Sequence, residues 1–173
     1  MIGNTRSGGK AKAVAEWAHE IARQRDDADF ALLYIADSDL QLLDESAAVM
    51  LLDAGPPVAN QYSQEHASAW SEAVESFDGY VFVTPECNHG TSGALNNAIE
   101  FLYDEFGDKA AEVIGYGYTM GAHAIESLRL MMAAMQVATV RPTVGISLFT
   151  EFGNGALREL SAGLLAGRRG ERG

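Results

Sequence analysis

Tyr80-Val81-Phe82-Val83-Thr84-Pro85-Glu86-Cys87-Asn88-His89-Gly90-Thr91-Ser92-Gly93 is the stretch on which the fold turns. Four β-favouring apolar residues in an unbroken run predict a strand buried on both faces, the pattern of a parallel sheet. Thr84-Pro85 closes the strand, because proline cannot donate to a central ladder. A loop of polar residues and glycines follows. Leu95, Ala98, Ile99 and Leu102 then recur at helical spacing and predict a helix over 93–106. Strand, polar loop and amphipathic helix make half of a βαβ unit.

Working outward, the same alternation repeats. Val14, Trp17, Ala18, Ile21 and Ala22 predict a helix over 10–24, and 30–35 reads as a buried strand. Residues 37–60 read as a loop with short helical character, ended by Gly55-Pro56-Pro57, and a helix entered near Ser63 runs to Phe77. Beyond the central unit, 113–118 reads as a strand, 122–135 as a helix, and 137–149 as one or two more strands. Strands alternating with helices imply right-handed crossovers and a three-layer α/β sandwich around a parallel sheet. The chain is read as one domain over 1–165, with 166–173 as a disordered tail, since no apolar residue follows Ala166.

Composition narrows the function classes. The 173 residues hold 24 acidic and 12 basic side chains, a formal net charge of −12, and one cysteine. A single cysteine excludes an internal disulfide framework and a cysteine-rich metal site, and points to a reducing, cytoplasmic setting. No apolar run approaches the length of a membrane span, and the N-terminus lacks the apolar core of a signal peptide. The charge opposes encounter with nucleic acid or an anionic membrane. From Asp26 to Asp108 there are 17 acids and no Lys or Arg, so positive charge is confined. Most of those acids read as a solvated surface.

In a doubly wound sheet ligands sit at the carboxyl ends of strands. The first such loop, Gly3-Asn4-Thr5-Arg6-Ser7-Gly8-Gly9-Lys10, leads into a helix. Hydroxyls, helix N-terminal amides and the Arg6 fork suit a phosphate. A flexible helix start accounts for the same residues equally well. The loop fits neither a Walker A sequence, since Gly9 stands where lysine is required, nor the dinucleotide G-x-G-x-x-G.

The second loop, Thr84 to Gly90, followed by Gly93-Ala94-Leu95-Asn96-Asn97-Ala98-Ile99-Glu100, resembles the P-E-Y-N-H-G and P-G-A-L-K-N-A-I-D motifs of the NAD(P)H-dependent FMN reductase family. The opening loop is similar to that family's G-S-T-R loop, and the likeness covers most of the chain from Gly3 to about Met135. It implies a flavodoxin-like fold with strand order 2-1-3-4-5, FMN as cofactor and NAD(P)H as co-substrate. It also implies a small-molecule electron acceptor (quinone, azo compound, metal oxyanion or free flavin) and a homodimer or homotetramer. By the same resemblance Asn4, Thr5, Arg6, Ser7 and Lys10 face the FMN phosphate. Pro85, Glu86, Cys87, Asn88 and His89 face the isoalloxazine ring, while Gly117, Tyr118 and Gly121 belong to a glycine-rich third loop that lets it approach. The cofactor carries the chemistry in such proteins, so no catalytic acid or base is expected.

Several positions depart from the family pattern. Cys87 replaces an aromatic residue and reads either as a small apolar filler or as a reactive thiol. Ser92 stands for proline, Asn96 for lysine, and His123 for an arginine suited to an NADPH 2′-phosphate, which leaves NADH and NADPH both open. Only Met1 and Ile2 precede the first loop, so the central strand is expected to be truncated. Either the chain as read begins late, or FMN binding is impaired by the lost support. His19, His66, His89 and His123 show no ligand-like spacing, and no metal site is expected. No G-x-S-x-G elbow is present. Residues 125–135 are apolar over more than one helical face, read as burial or as a dimer interface. Two other classes fit the chain: a flavodoxin-like electron carrier, favoured by the acidic surface, and a cofactor-free accessory protein, favoured by the short strand, Cys87 and His123.

Overall fold

The computed structural model describes residues 1–44, 62–153 and 156–157. Strands β1 (Gly79–Pro85) and β2 (Ala110–Gly117) pair in parallel from Gly79 opposite Ala110 to Pro85 opposite Tyr116. Beyond β2 lie β3 (Ala138–Thr139) and β4 (Val144–Ser147), both parallel to it. They are two halves of one edge strand. Between them the edge carries two more residues than β2 does, around Pro142, which has no amide to donate.

On the other side of β1 the central position is filled by the first residues of the chain. Ile2 bridges Tyr34 on one side and Val83 on the other, both in parallel. The Ile2 amide donates to the Leu33 carbonyl at 2.8 Å, Val83 donates to Met1 at 2.9 Å, and Gly3 donates to Val83 at 2.9 Å. The order is therefore that of the flavodoxin-like sheet, with a truncated first strand in its proper place. Ile2 is 2% exposed. These ladder bonds and the buried isoleucine fix where the first loop begins.

Helices α1 (Ala11–Ala22), α2 (Glu65–Glu75), α3 (Gly93–Glu100) and α4 (Ala122–Ala134) cover the two faces. Ala11, Val14, Ala15 and Ala18 of α1 share a core with Ile2, Val83, Ile114, Tyr116, Val144 and Ile146. The antiparallel pair β5 (Phe152–Gly153) and β6 (Ala156–Leu157) lies on this side. On the opposite face Trp70 and Val74 of α2, Leu95 and Ile99 of α3, and Leu128 and Met132 of α4 pack on Tyr80, Phe82 and Val113. Strand residues alternate between the two cores, which gives the three layers.

Three expectations shift. Residues 30–35 form no extended strand beyond the Tyr34 bridge to Ile2. The helix expected to run to Phe106 stops at Glu100, and a separate 3-10 turn, Asp104–Phe106, follows. β2 begins earlier than expected, at Ala110, because Lys109 is anchored: its ammonium donates to the Glu75 carbonyl at 3.0 Å and to the Tyr80 hydroxyl at 3.1 Å. Of the loop over 37–60, residues 45–60 lie outside the described residues, as do 158–173, which include the expected tail. No helix among the described residues is long and apolar enough to cross a membrane.

Among the described residues one carboxylate is buried in the core. Glu105, 2% exposed, accepts from the Ser71 hydroxyl at 2.5 Å, the Tyr62 hydroxyl at 2.8 Å and the Tyr103 amide at 3.1 Å. A buried carboxylate is tolerated only with such a full set of donors. Replacing Glu105 with leucine strands all three, and we expect a loss of about 3 kcal/mol in urea unfolding at unchanged slope, with Glu105→Gln losing less. A loss below about 0.5 kcal/mol for the leucine variant contradicts this role.

Candidate functional site

The first loop leaves the sheet at Gly3, where a Cβ would lie 2.7 Å from Leu95 Cδ2, so only glycine lets α3 pack against the central strand. The Ser92 hydroxyl donates to the Gly3 carbonyl and accepts the Leu95 amide at 3.1 Å. It is thus both the N-cap of α3 and a tie to the base of the first loop, which a proline in its place does not supply. Asn4 Oδ1 accepts from the Arg6 amide at 3.0 Å, and its Nδ2 donates to the Tyr116 hydroxyl at 3.4 Å. Burial raises that phenol to about 12. Gly8 turns the chain at φ +70°, and Gly9 donates back to the Arg6 carbonyl at 3.0 Å.

α1 then starts without a capping bond from the Lys10 side chain, whose ammonium lies 4.5 Å over the Phe152 ring. Thr5, Arg6 and Ser7 are exposed beside this helix start. A helix N-terminus with no capping side chain at Lys10, reached through a loop that carries Arg6, is electrostatically suited to an anion.

The second loop begins with the Glu86 amide donating to the Tyr116 carbonyl at 2.8 Å, which extends the β1–β2 ladder past Pro85. Cys87 and Gly90 exchange both backbone bonds, at 2.8 and 2.9 Å, around Asn88 at φ +50° and His89 at φ +61°. Two positive φ values at the centre mark a type I′ turn, built here without glycine at either central position. Met120 in the third loop also has φ +59°. Asp39, Asp108 and Gln136 share this conformation elsewhere in the fold, so it is not confined to these loops. Cys87 is an exposed free thiol.

The third loop returns along β2. A Cβ on Gly117 would lie 2.9 Å from the Glu86 Cβ, and one on Gly121, at φ +72°, would lie 2.4 Å from the backbone of Gly115. Glu86 locks this loop to the second. Its carboxylate accepts from Thr119 Oγ1 at 2.7 Å, from the His123 amide at 3.2 Å, and lies 2.9 Å from His123 Nδ1. Burial alone would raise its pKa, yet the bonds from Thr119 and His123 outweigh it and hold the carboxyl below its usual range. The His89 ring stacks on His123, centroids 3.9 Å apart and 2° from parallel. Outside this cluster Tyr118 and Phe149 are 72% and 70% exposed, with ring centroids 5.0 Å apart.

All three loops thus meet at one edge of the sheet. The Glu86 carboxylate, expected to face the ring, is turned onto Thr119 and His123 and sets the spacing of two loops. Thr119 is not singled out by the motif, and His123 is marked there only as standing where an arginine is common. The signal for them is topological, since loops leaving adjacent parallel strands emerge side by side.

The sequence model for "NADPH-dependent FMN reductase" matches residues 1–151, so the chain belongs to that family, a class of NAD(P)H-dependent FMN oxidoreductases with FMN as cofactor. Among curated relatives, the NAD(P)H-dependent FMN reductase ntnL of Nectria sp is 34% identical over 171 residues, covering 93% of this chain and 83% of that protein. The NAD(P)H-dependent FMN reductase C4B3.06c of Schizosaccharomyces pombe is 29% identical over 147 residues, covering 83% of this chain and 70% of that one. Among solved structures, the flavoenzyme NAD(P)H:(acceptor) oxidoreductase FerB of Paracoccus denitrificans superimposes with a TM-score of 0.64 at 21% identity, over 90% of this chain and 82% of its own. The apo form of the NADH:FMN oxidoreductase EMOB gives 0.61 at 21% identity, over 84% and 72%. At this identity the two structures show the shared fold. FMN fits the residues present: an anion-suited helix start for its phosphate and two glycine-bearing loops for its ring.

The glycines separate by environment. Gly121→Ala meets backbone at a left-handed φ, and we expect it to cost about 3 kcal/mol in chemical unfolding. Gly93 opens α3 with open space where a methyl group would stand, nothing lying within 4 Å, so Gly93→Ala is expected to stabilise by about 0.5 kcal/mol. Equal effects of the two changes contradict the packing described.

Proposed function

We propose that this chain binds FMN with its phosphate on the first loop and its ring between the second and third, and passes electrons from NADH or NADPH to a flat aromatic acceptor such as a quinone or an azo compound. The observation that carries the reading is the convergence of the start of α1, exposed Arg6 and the second and third loops at one sheet edge. Bound FMN supplies hydride acceptance from the nicotinamide and electron release to the second substrate. The chain's own residues bind and orient. Arg6 and the α1 amides hold the phosphate, and Asn4 fixes the loop through its bonds to the Arg6 amide and Tyr116. Pro85, Cys87, Asn88 and His89 line one side of the ring, Gly117, Tyr118 and Gly121 the other, and Glu86 keeps the two sides in register.

The acceptor class rests on two features. Tyr118 and Phe149 offer exposed aromatic faces beside the third loop. Negative charge from Glu86 and Glu126 lies nearby, and neither ring-facing loop carries a lysine or arginine. That favours a neutral planar acceptor over a metal oxyanion. The reading includes a cytoplasmic homodimer or homotetramer, supported by Leu130 on α4, which is 75% exposed outside the buried stripe Ala124, Ile125, Leu128 and Met132. It also includes a single domain over 1–165.

The test is an FMN titration followed by turnover. We expect saturable FMN uptake, NAD(P)H oxidation that requires a quinone or azo acceptor, and about tenfold weaker FMN binding in Arg6→Ala. Tyr118→Ala is expected to raise KM for the aromatic acceptor by up to about tenfold. No FMN uptake overturns the reading. Uptake without NAD(P)H oxidation indicates an electron carrier, and chromate turned over in preference to quinones contradicts the acceptor class.

A further inference from the structure

His89 and His123 lie far apart in the sequence, with no spacing that marks them as ligands, yet β1 and β2 run side by side and deliver both to one spot. Their stacked rings and Glu86 offer one oxygen and two nitrogens, all within 4.8 Å of one another. We propose that Glu86, His89 and His123 form a binding site for a borderline divalent transition-metal ion of the zinc, nickel, cobalt or copper type. Two imidazoles exclude the hard cations magnesium and calcium, which take oxygen donors. A carboxylate and two imidazoles are a common ligand set for zinc-like ions, and three protein ligands leave a position open to water.

The donors differ in freedom. The Glu86 side chain is 9% exposed and already oriented by Thr119, which is the outer hydrogen bond a ligating carboxylate needs. His123 is anchored by its amide on Glu86 Oε2 and is 45% exposed in its side chain. His89 sits on an exposed turn, so its ring swings from the stack toward the same point at little cost. The ion replaces the stack and the His123 Nδ1 bond by three coordination bonds. It thereby joins the second and third loops more tightly than Glu86 does alone. Binding of the ion follows from these three side chains and does not depend on the proposed function. Its consequence, a metal-dependent change in ring access, does rest on that reading.

The experiment titrates Co2+ and Zn2+ into the full chain as purified, free of chelator. Visible d–d absorption follows Co2+, and calorimetry follows Zn2+. We expect one ion per chain, displacement of Co2+ by Zn2+, and at least about tenfold weaker binding in His89→Ala and in His123→Ala. His66→Ala, which alters the separate His66–Asp44 pair, and Cys87→Ser are expected to leave binding unchanged. Exposed His89 is the variant least prone to disturb folding, and far-ultraviolet dichroism checks that it has not. Absence of a saturable Co2+ spectrum overturns the proposal, and so does a spectrum that survives in His89→Ala or is abolished in Cys87→Ser or His66→Ala. Failure of FMN to bind leaves these spectra as they are, so the two readings fail separately.

Discussion

Parallel pairing of the central strands is the constraint from which the rest follows. Because Met1 to Gly3, β1 and β2 run in the same direction and are hydrogen-bonded neighbours, their carboxyl ends lie side by side and release three loops at one edge. An antiparallel partner would send one of those loops to the opposite end of the molecule. The register is fixed by burial of Tyr80 and Phe82 on one face and of Val83 on the other: a shift of one residue would turn the aromatic rings toward α1. Function-bearing residues are therefore brought together by core packing that they do not themselves provide.

Connections between the loops then refine what the sheet makes adjacent. Ser92 joins the start of α3 to Gly3, Asn4 reaches Tyr116, and Glu86 spans to Thr119 and His123. Each crosses from one strand's loop to another's. The positive φ values at Asn88 and His89 lie within the paired backbone bonds of Cys87 and Gly90. A site of this kind is preorganised, so little conformational entropy remains to be lost when a ligand arrives.

Much of this was legible in the sequence. The run from Tyr80 to Val83 reads as a strand, and Leu95, Ala98 and Ile99 as the buried stripe of the next helix, because period and composition are local properties; the expected burial on both faces fails at Val81, which is 36% exposed. The family resemblance marks the second and third loops. The short central strand is visible as well, though not its sufficiency, since that depends on Leu33, Val81 and Val83 accepting or donating across the sheet. The inward turn of the Glu86 carboxylate, the Ser92 tie and the His89–His123 stack had no local signature. Each joins residues from different strands, and side-chain chemistry alone does not state which strands are neighbours. Lys109 is the same lesson in the core: a lone cation after a long acidic stretch reads as a placed charge, but its partners, Glu75 and Tyr80, come from the preceding helix and strand.

Hydrogen–deuterium exchange of the full chain with and without FMN tests most directly whether the three loops form one site. The account predicts slowed exchange together in residues 4–11, 85–90 and 117–123, with the α2 amides unchanged. Slowing in one loop alone, or centred away from this edge of the sheet, would contradict it.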